Sequence, residues 1–359
     1  MQIKEILSIT KEFLNCPTAP FRETYVQQYI RNFLKKCSLP FKTDSMGNLF
    51  IKGKGPLTFV AHMDHPGFIA EKNSTKNQLT ALFYGGYDPD QFSWAPVRFF
   101  SDQGEVTGII RKWAQVPSQL ARRAYIKVNG KVNTGDIGTW DFPACNITKN
   151  KLYSRACDDL VGCAILLCAI RELSRTTDLN ASFLFTTAEE AGLHGAKYVC
   201  QNRLLPKNSI AVSVECSREL PGVEMGKGVI IRVGDSKTIF TPSVTSFFTD
   251  LANQLQNRTP SFSFQRKLMD GGRCEGTVFD QFGYKTGAIC VALGNYHNRN
   301  FERATTEPEY VNLNDLQSAV IFILNAIQAS SQYQDYKKKK PDYVEKRLRL
   351  GQIMYLPPD

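Results

Sequence analysis

The sequence predicts an α/β fold: a mostly parallel mixed sheet flanked by helices, with a small all-β domain inserted into it. Three observations lead there. Apolar β-type runs alternate with helix-patterned stretches up to about residue 66 and again from residue 151. From Gly67 to Asn150 helical periodicity nearly vanishes, and short β-type runs punctuated by glycine, asparagine and aspartate replace it. Outside that stretch, residues able to carry chemistry sit at the ends of strand-like runs, where open α/β sheets gather their functional groups.

Taken in order, Ile3–Leu14 has helical spacing, Pro17-Thr18-Ala19-Pro20 breaks it, and Glu23–Lys36 resumes it. The turn-forming Thr43-Asp44-Ser45-Met46-Gly47-Asn48 joins two short strands, and a third strand, Leu57–Ala61, ends at His62. Within the β-rich stretch, strands are expected at Leu79–Tyr84, Val97–Phe100, Val106–Trp113 and Ala124–Val128. Gly85-Gly86, Asp88-Pro89, Asn129-Gly130 and Gly135-Asp136 supply the turns. Beyond it, Asp159–Arg175 reads as a helix, Ala181–Thr186 as a strand and Ala191–Gln201 as a helix. Strands follow at Ile210–Val214, Val229–Val233 and Lys285–Leu293, with a helix over Thr245–Gln256 and a long last helix over Leu313–Gln332. The expected division is therefore a split catalytic domain (1–66 and 151–335), an inserted barrel-like domain (67–150) and a basic tail (336–359).

Composition narrows the function classes. Stretches such as Ala164–Ile170 and Ala319–Leu324 are too short to span a bilayer, and the charged, amphipathic N-terminus lacks a signal-peptide core. The ten cysteines contain no C-x-x-C pair, and Cys163, Cys168 and Cys290 fall in apolar runs, so reduced, buried thiols and a cytoplasmic setting are expected. Much of the net charge of +10 is concentrated in Lys337-Lys338-Lys339-Lys340 and Lys346-Arg347-Leu348-Arg349. No nucleic-acid motif accompanies it, so a solvated tail is expected, with neither nucleic acid nor membrane as partner.

Four histidines occur in the 359 residues, and two stand where a two-metal hydrolase needs them. His62 ends one apolar run, and His297 follows Ala288–Leu293. Between them lie Asp158-Asp159, Glu189-Glu190 and Glu215. Singly, each has an ordinary explanation: a packed histidine, a helix N-cap in Asp159, a solvated acidic face. Together they are acids and imidazoles converging on one sheet edge, and clustered carboxylates repel unless a cation sits among them. A co-catalytic pair needs a carboxylate bridging ions about 3.5–4 Å apart. Asp158 suits the bridge, His62 and Glu215 one ion, and Glu190 and His297 the other. This donor set suits two divalent ions, zinc first, with cobalt and manganese as alternatives. Glu189 is then the general base, and Asp64 is expected to fix the His62 tautomer. Arg273, Glu275 and His65 are candidates for the substrate pocket, His194 for structure or the rim, and Cys216 for a buried structural thiol.

The same residues resemble the co-catalytic zinc exopeptidases, in their tetrahedral (glutamyl and deblocking) aminopeptidase branch. The resemblance runs through Thr43–Asn48, Ala61-His62-Met63-Asp64, Gly135-Asp136, Cys157-Asp158-Asp159-Leu160-Val161-Gly162, Thr187–Ala196, Gly271-Gly272 and Tyr296-His297. An insertion between His62 and Asp158 is where that branch places its extra domain. The resemblance implies the metal assignment above, Glu189 as base, a cis peptide after Asp158, and assembly into dimers or dodecamers. Three departures stand out: Arg273-Cys274-Glu275 in place of Thr-Asp after the glycine pair, His65-Pro66 after Asp64, and Glu215 where this branch mostly carries Asp.

The resulting expectation is a metallo-aminopeptidase acting on peptide or N-terminal aminoacyl substrates. The alternatives are an N-acyl amino acid deacylase or carboxypeptidase of the same clan, with Arg273 holding a substrate carboxylate, and a catalytically silent binding homologue.

Overall fold

The computed structural model describes residues 1–75, 77–85, 94–116, 121–176 and 179–333. The basic tail and the Asp88-Pro89 turn lie outside them. Helices α1 (Ile3–Leu14) and α2 (Thr24–Lys36) precede a hairpin, β1 (Lys42–Thr43) and β2 (Leu49–Ile51), and then β3 (Leu57–His62). Six strands follow: β4 (Gly67–Ala70), β5 (Gln78–Tyr84), β6 (Pro96–Ser101), β7 (Gly104–Gln115), β8 (Ala121–Val128) and β9 (Ile137–Trp140). The chain continues through β10 (Asn146–Thr148), β11 (Lys151–Ser154), α3 (Leu160–Leu173), β12 (Ser182–Thr186), α4 (His194–Gln201), β13 (Ile210–Arg218) and β14 (Val229–Gly234). It ends with α5 (Pro242–Arg258), β15 (Phe264–Leu268), α6 (Glu275–Gln281), β16 (Lys285–Gly294), β17 (Arg299–Asn300), β18 (Thr305–Thr306), β19 (Glu309–Asn312) and α7 (Leu313–Ala329).

An eleven-stranded mixed sheet carries the fold, in the order β1-β2-β12-β3-β13-β16-β19-β11-β10, with β14 and β15 attached at β16. At its centre β12, β3, β13 and β16 run parallel. Every residue of β3 and β12 is buried, as befits central strands covered on both faces. The alternation of side chains assigns the two layers. Phe59, Ala61, Phe183, Phe185, Val212 and Val214 pack against α1, α2, α3, α5 and α7, whereas Val60, Leu184 and Ala211 meet α4 and α6. Helix α3 is apolar on every side because it lies inside the protein, touching α1, α7, β3 and β13, and Asp159 caps it by accepting from the Gly162 amide at 3.1 Å.

Strands β4 to β9 close into a barrel, in the order β4-β5-β8-β7-β6-β9. Phe68, Phe83, Phe99, Ile110 and Trp140 fill it. The chain leaves β3 for the barrel and re-enters the large sheet at β10, beside β11.

The structure corrects the sequence expectations at several edges. Strands β4 and β9 have too few apolar residues to announce themselves. Glu215 stands inside β13 rather than after it, because pairing with β16 continues to Arg218 opposite Leu293. Residues 191–193 form a turn, with Gly192 and Leu193 both at positive φ, so α4 begins only at His194. Helix α6 was not expected, and α7 ends at Ala329, followed by a 3₁₀ turn.

Candidate metal centre

The four central strands deliver the site because they share one direction. His62 ends β3 and pairs in register with Thr186, the last residue of β12, which leads directly into Glu189 and Glu190. Glu215 lies on neighbouring β13, and His297 sits in the turn after β16. Asp158 reaches the same edge from the loop between β11 and α3, and its peptide bond to Asp159 is cis.

The two carboxylate oxygens of Asp158 face two different imidazoles. Its Oδ1 lies 3.5 Å from His62 Nε2, and its Oδ2 lies 3.7 Å from His297 Nε2. On the first side Glu215 Oε2 and Glu189 Oε2 each stand 4.0 Å from His62 Nε2. On the second, Glu190 Oε1 is 2.9 Å from His297 Nε2. Two overlapping groups have donor atoms close enough to share one ion: His62, Asp158 and Glu190, and His62, Asp159 and Glu215, all within 4.8 Å. Donors on a tetrahedral ion at ordinary zinc bond lengths stand about 3.3 Å apart, so separations of this order fit a cation between them.

The electrostatics agree. Burial, reinforced by neighbouring acids, holds the carboxyls of Asp159, Glu189, Glu190 and Glu215 well above the usual range. Burial alone would lower His62, but Glu189, Asp158 and Asp64 outweigh it and lift the imidazole well above its ordinary value. His297, where burial dominates, is lowered. Asp158 Oδ1, Asp159 Oδ2 and Glu215 Oε1 are buried with no hydrogen-bond partner, a costly arrangement that a bound cation relieves.

The supporting groups depart from expectation in instructive ways. The His62 Nδ1 lies 3.1 Å from the main-chain oxygen of Asp64 and 3.5 Å from its Oδ1. The Asp64 carboxylate also holds the Glu-Glu turn, accepting from the Glu189 amide at 2.9 Å and the Glu190 amide at 3.0 Å. His65 does not line the pocket. It is buried behind Asp158, with Nδ1 against the Asp158 carbonyl and Nε2 3.0 Å from Asn298 Oδ1. Glu275 is likewise enclosed at the start of α6 and accepts from Thr186 Oγ1 at 2.7 Å. Arg273 does line the cavity above the acids. His194 packs against Phe21 away from them. Glu309 was missed altogether, although its carboxylate takes three main-chain donors: Cys157 N at 2.6 Å, Asp158 N at 3.0 Å and His297 N at 2.7 Å.

Comparison with known proteins accounts for this arrangement. Residues 121–316 of the 359-residue chain match the M42 glutamyl aminopeptidase family. The chain belongs to that family. An M42 protein is a metal-dependent aminopeptidase, which is the chemistry a cluster of buried acids and imidazoles supports. A candidate aminopeptidase of Acetivibrio thermocellus is 27% identical over 348 residues, covering 91% of this chain and 100% of that protein. The lysyl aminopeptidase of Pyrococcus furiosus is 22% identical over 281 residues, 69% of this chain and 78% of the relative. Among solved structures, the Pyrococcus horikoshii TET1 peptidase, which assembles into a tetrahedron or a large octahedral shell, superposes with a TM-score of 0.74 at 23% identity. The match covers 90% of this chain and 99% of that one. An aminopeptidase from Desulfurococcus kamchatkensis gives 0.76 at 22% identity, over 94% and 99% of the two chains. These likenesses place the M42 fold along nearly the whole chain.

Proposed function

We propose that this metallo-aminopeptidase works with two divalent ions, zinc for preference, held by Asp158 as bridge, His62 and Glu215 on one side and Glu190 and His297 on the other. The observation that carries the reading is the division of Asp158, one oxygen toward each imidazole. Two such ions supply Lewis-acid polarisation of the scissile carbonyl and a water of lowered pKa. Glu189 stands beside this centre without being needed as a ligand. It takes the proton of the attacking water and returns it to the leaving amine. Asp64 positions Glu189 and Glu190 by holding both amides. The surrounding carboxylates suit a free N-terminal ammonium, which restricts cleavage to the first residue of a peptide.

The barrel, β4 to β9, is proposed as an inserted domain; the expected bounds 67–150 overrun it, because β10 (Asn146–Thr148) already pairs within the large sheet. Ten unpaired cysteines accord with a reducing, cytoplasmic setting. No helix among the described residues is long and apolar enough to cross a membrane. Assembly into a homo-oligomer is proposed from the relatives that form shells.

Replacing Glu189 with Gln tests the assignment. Turnover of aminoacyl reporters should fall at least about a thousandfold while metal stoichiometry stays at wild-type level. Retained activity removes Glu189 from the base role.

A further inference from the structure

Above the acids, the cavity lined by His62 and Glu215 continues past Ser217 to a guanidinium, Arg232. An arginine inside β14, with Ile230 and Ile231 before it and Val233 after, is unusual for a strand paired on both sides. Arg232 is 3% exposed, yet its only hydrogen bond is a long one, from Nη1 to Ser217 Oγ at 3.4 Å. Its Nε is buried with no partner. No carboxylate among the described residues comes within ion-pair distance of it.

Besides the thiols of Cys274 and Cys290, the groups that reach it electrostatically are two acids, Glu215 and Asp235. Asp235 is already occupied, accepting from Lys237 N at 2.8 Å, Thr238 N at 2.9 Å, Cys274 N at 3.3 Å and Thr277 Oγ1. That leaves Glu215, a proposed metal ligand whose Oε1 is itself buried without a partner. The sheet sets the two on one face: Glu215 and Ile230 both pair with Cys290, and Arg232 follows Ile230 by two positions. Ser217, which the guanidinium touches, stands two positions beyond Glu215, about 7 Å along β13.

A guanidinium keeps its proton at any ordinary pH, and burial leaves its field largely unscreened. A fixed positive charge beside an acid cluster opposes every cation the cluster takes up. Here it acts unevenly. His62 and Glu215 share the Arg232 cavity, whereas His297 lines the neighbouring one, among Arg218, Arg273 and Arg299. Those three arginines are exposed or half-buried, so water and salt screen them.

We infer that Arg232 weakens the hold of this centre on the ion taken by His62 and Glu215, so that the Glu190 and His297 side fills first. The inference rests on the two-ion reading above. Its sign separates it from a supporting role. Losing a residue that merely props up ligands lowers metal affinity, whereas losing the Arg232 charge raises it.

The test titrates the metal-free full chain with zinc against a chromogenic chelator, in the wild type, Arg232→Met and Arg232→Lys. The wild type should take up two ions in distinct steps. In Arg232→Met the weaker step should tighten at least about tenfold, as expected on removing a buried charge at this range, and the tighter step should move less than about threefold. Arg232→Lys keeps the charge and should hold the weaker step within about threefold of wild type. Two wild-type steps of equal affinity overturn the inference, and so does a weaker step that Arg232→Met leaves unchanged or weakens further. If that variant does not fold, ionic strength decides in the wild type. A gap set by buried Arg232 should hold within about twofold between about 50 and 500 mM salt. A gap that closes as salt rises belongs to the exposed arginines and overturns the inference. Uptake of a single ion counts against the two-ion reading instead. Tenfold tightening of that ion in Arg232→Met still upholds the role of Arg232, and an unchanged affinity overturns it.

Discussion

Glu309 offers the sharpest check on how the site is held. Its Oε2 accepts from the amides of Cys157 and Asp158, and its Oε1 accepts from the amide of His297. One fully buried side chain thus ties the Asp158 loop to the His297 turn. That turn needs a tie. Asn295, His297 and Asn298 all have positive φ, a conformation costing roughly 1–2 kcal/mol for a residue such as His297 and less for the asparagines. In Glu309→Gln the carboxamide has one acceptor oxygen where two are in use. Keeping the Cys157 and Asp158 donors on that oxygen turns the –NH₂ toward the His297 amide, donor against donor. The loss is one hydrogen bond to a charged group plus an unsatisfied amide, together about 2–3 kcal/mol. Part should appear in the apo fold and part in the metal site, where supporting partners are worth about ten- to a hundredfold in affinity. Urea unfolding of the metal-free variant and zinc competition against a chromogenic chelator measure the two parts. Wild-type values in both would refute the reasoning, because they would mean that both Glu309 oxygens need not accept.

Glu23 predicts a pH dependence. Burial, followed by repulsion from Asp64, moves its carboxyl from 4.5 to about 8, while the amides of Ala188 and Phe21 pull the other way. The folded chain therefore keeps a proton that the unfolded chain releases, so this stability is full below the unfolded value and is lost as pH rises through about 8. Between pH near 5 and near 8.5, metal-free wild type should lose more of its urea midpoint than Glu23→Gln, and parallel slopes would argue against the shift. Metal removal gives the remaining prediction. Chelation should lower the melting temperature, and zinc at a thousandfold its dissociation constant should restore about 4 kcal/mol. A melting point indifferent to metal would mean that the clustered acids are relieved some other way.

Most of this fold could be read from the sequence because its strongest signals are local. Ile3–Leu14 has its helix at the expected bounds, and the parallel core strands are unbroken apolar runs that cannot be solvent-facing. What escaped was set by pairing at a distance. Gly67–Ala70 and Ile137–Trp140 are strands because they pair with each other and complete a closed barrel, and four residues carry too little period to show that alone. The extension of β13 past Glu215 likewise depends on β16, seventy-odd residues later in the chain.

The candidate ligands were legible for a different reason. Each stands at or near the end of a strand, and one shared strand direction is enough to bring them to a common edge, whatever the loops between them do. Their supports obey no such rule. Glu309 and Glu23 act on main-chain amides, and a main-chain amide leaves no mark in a sequence. Asp64 was noticed for its nearness to His62, but it spends its carboxylate on the two glutamate amides 125 and 126 residues away. Arg232 did leave a mark, a charge inside Val229-Ile230-Ile231-Arg232-Val233, where the sheet gives it no acid to pair with.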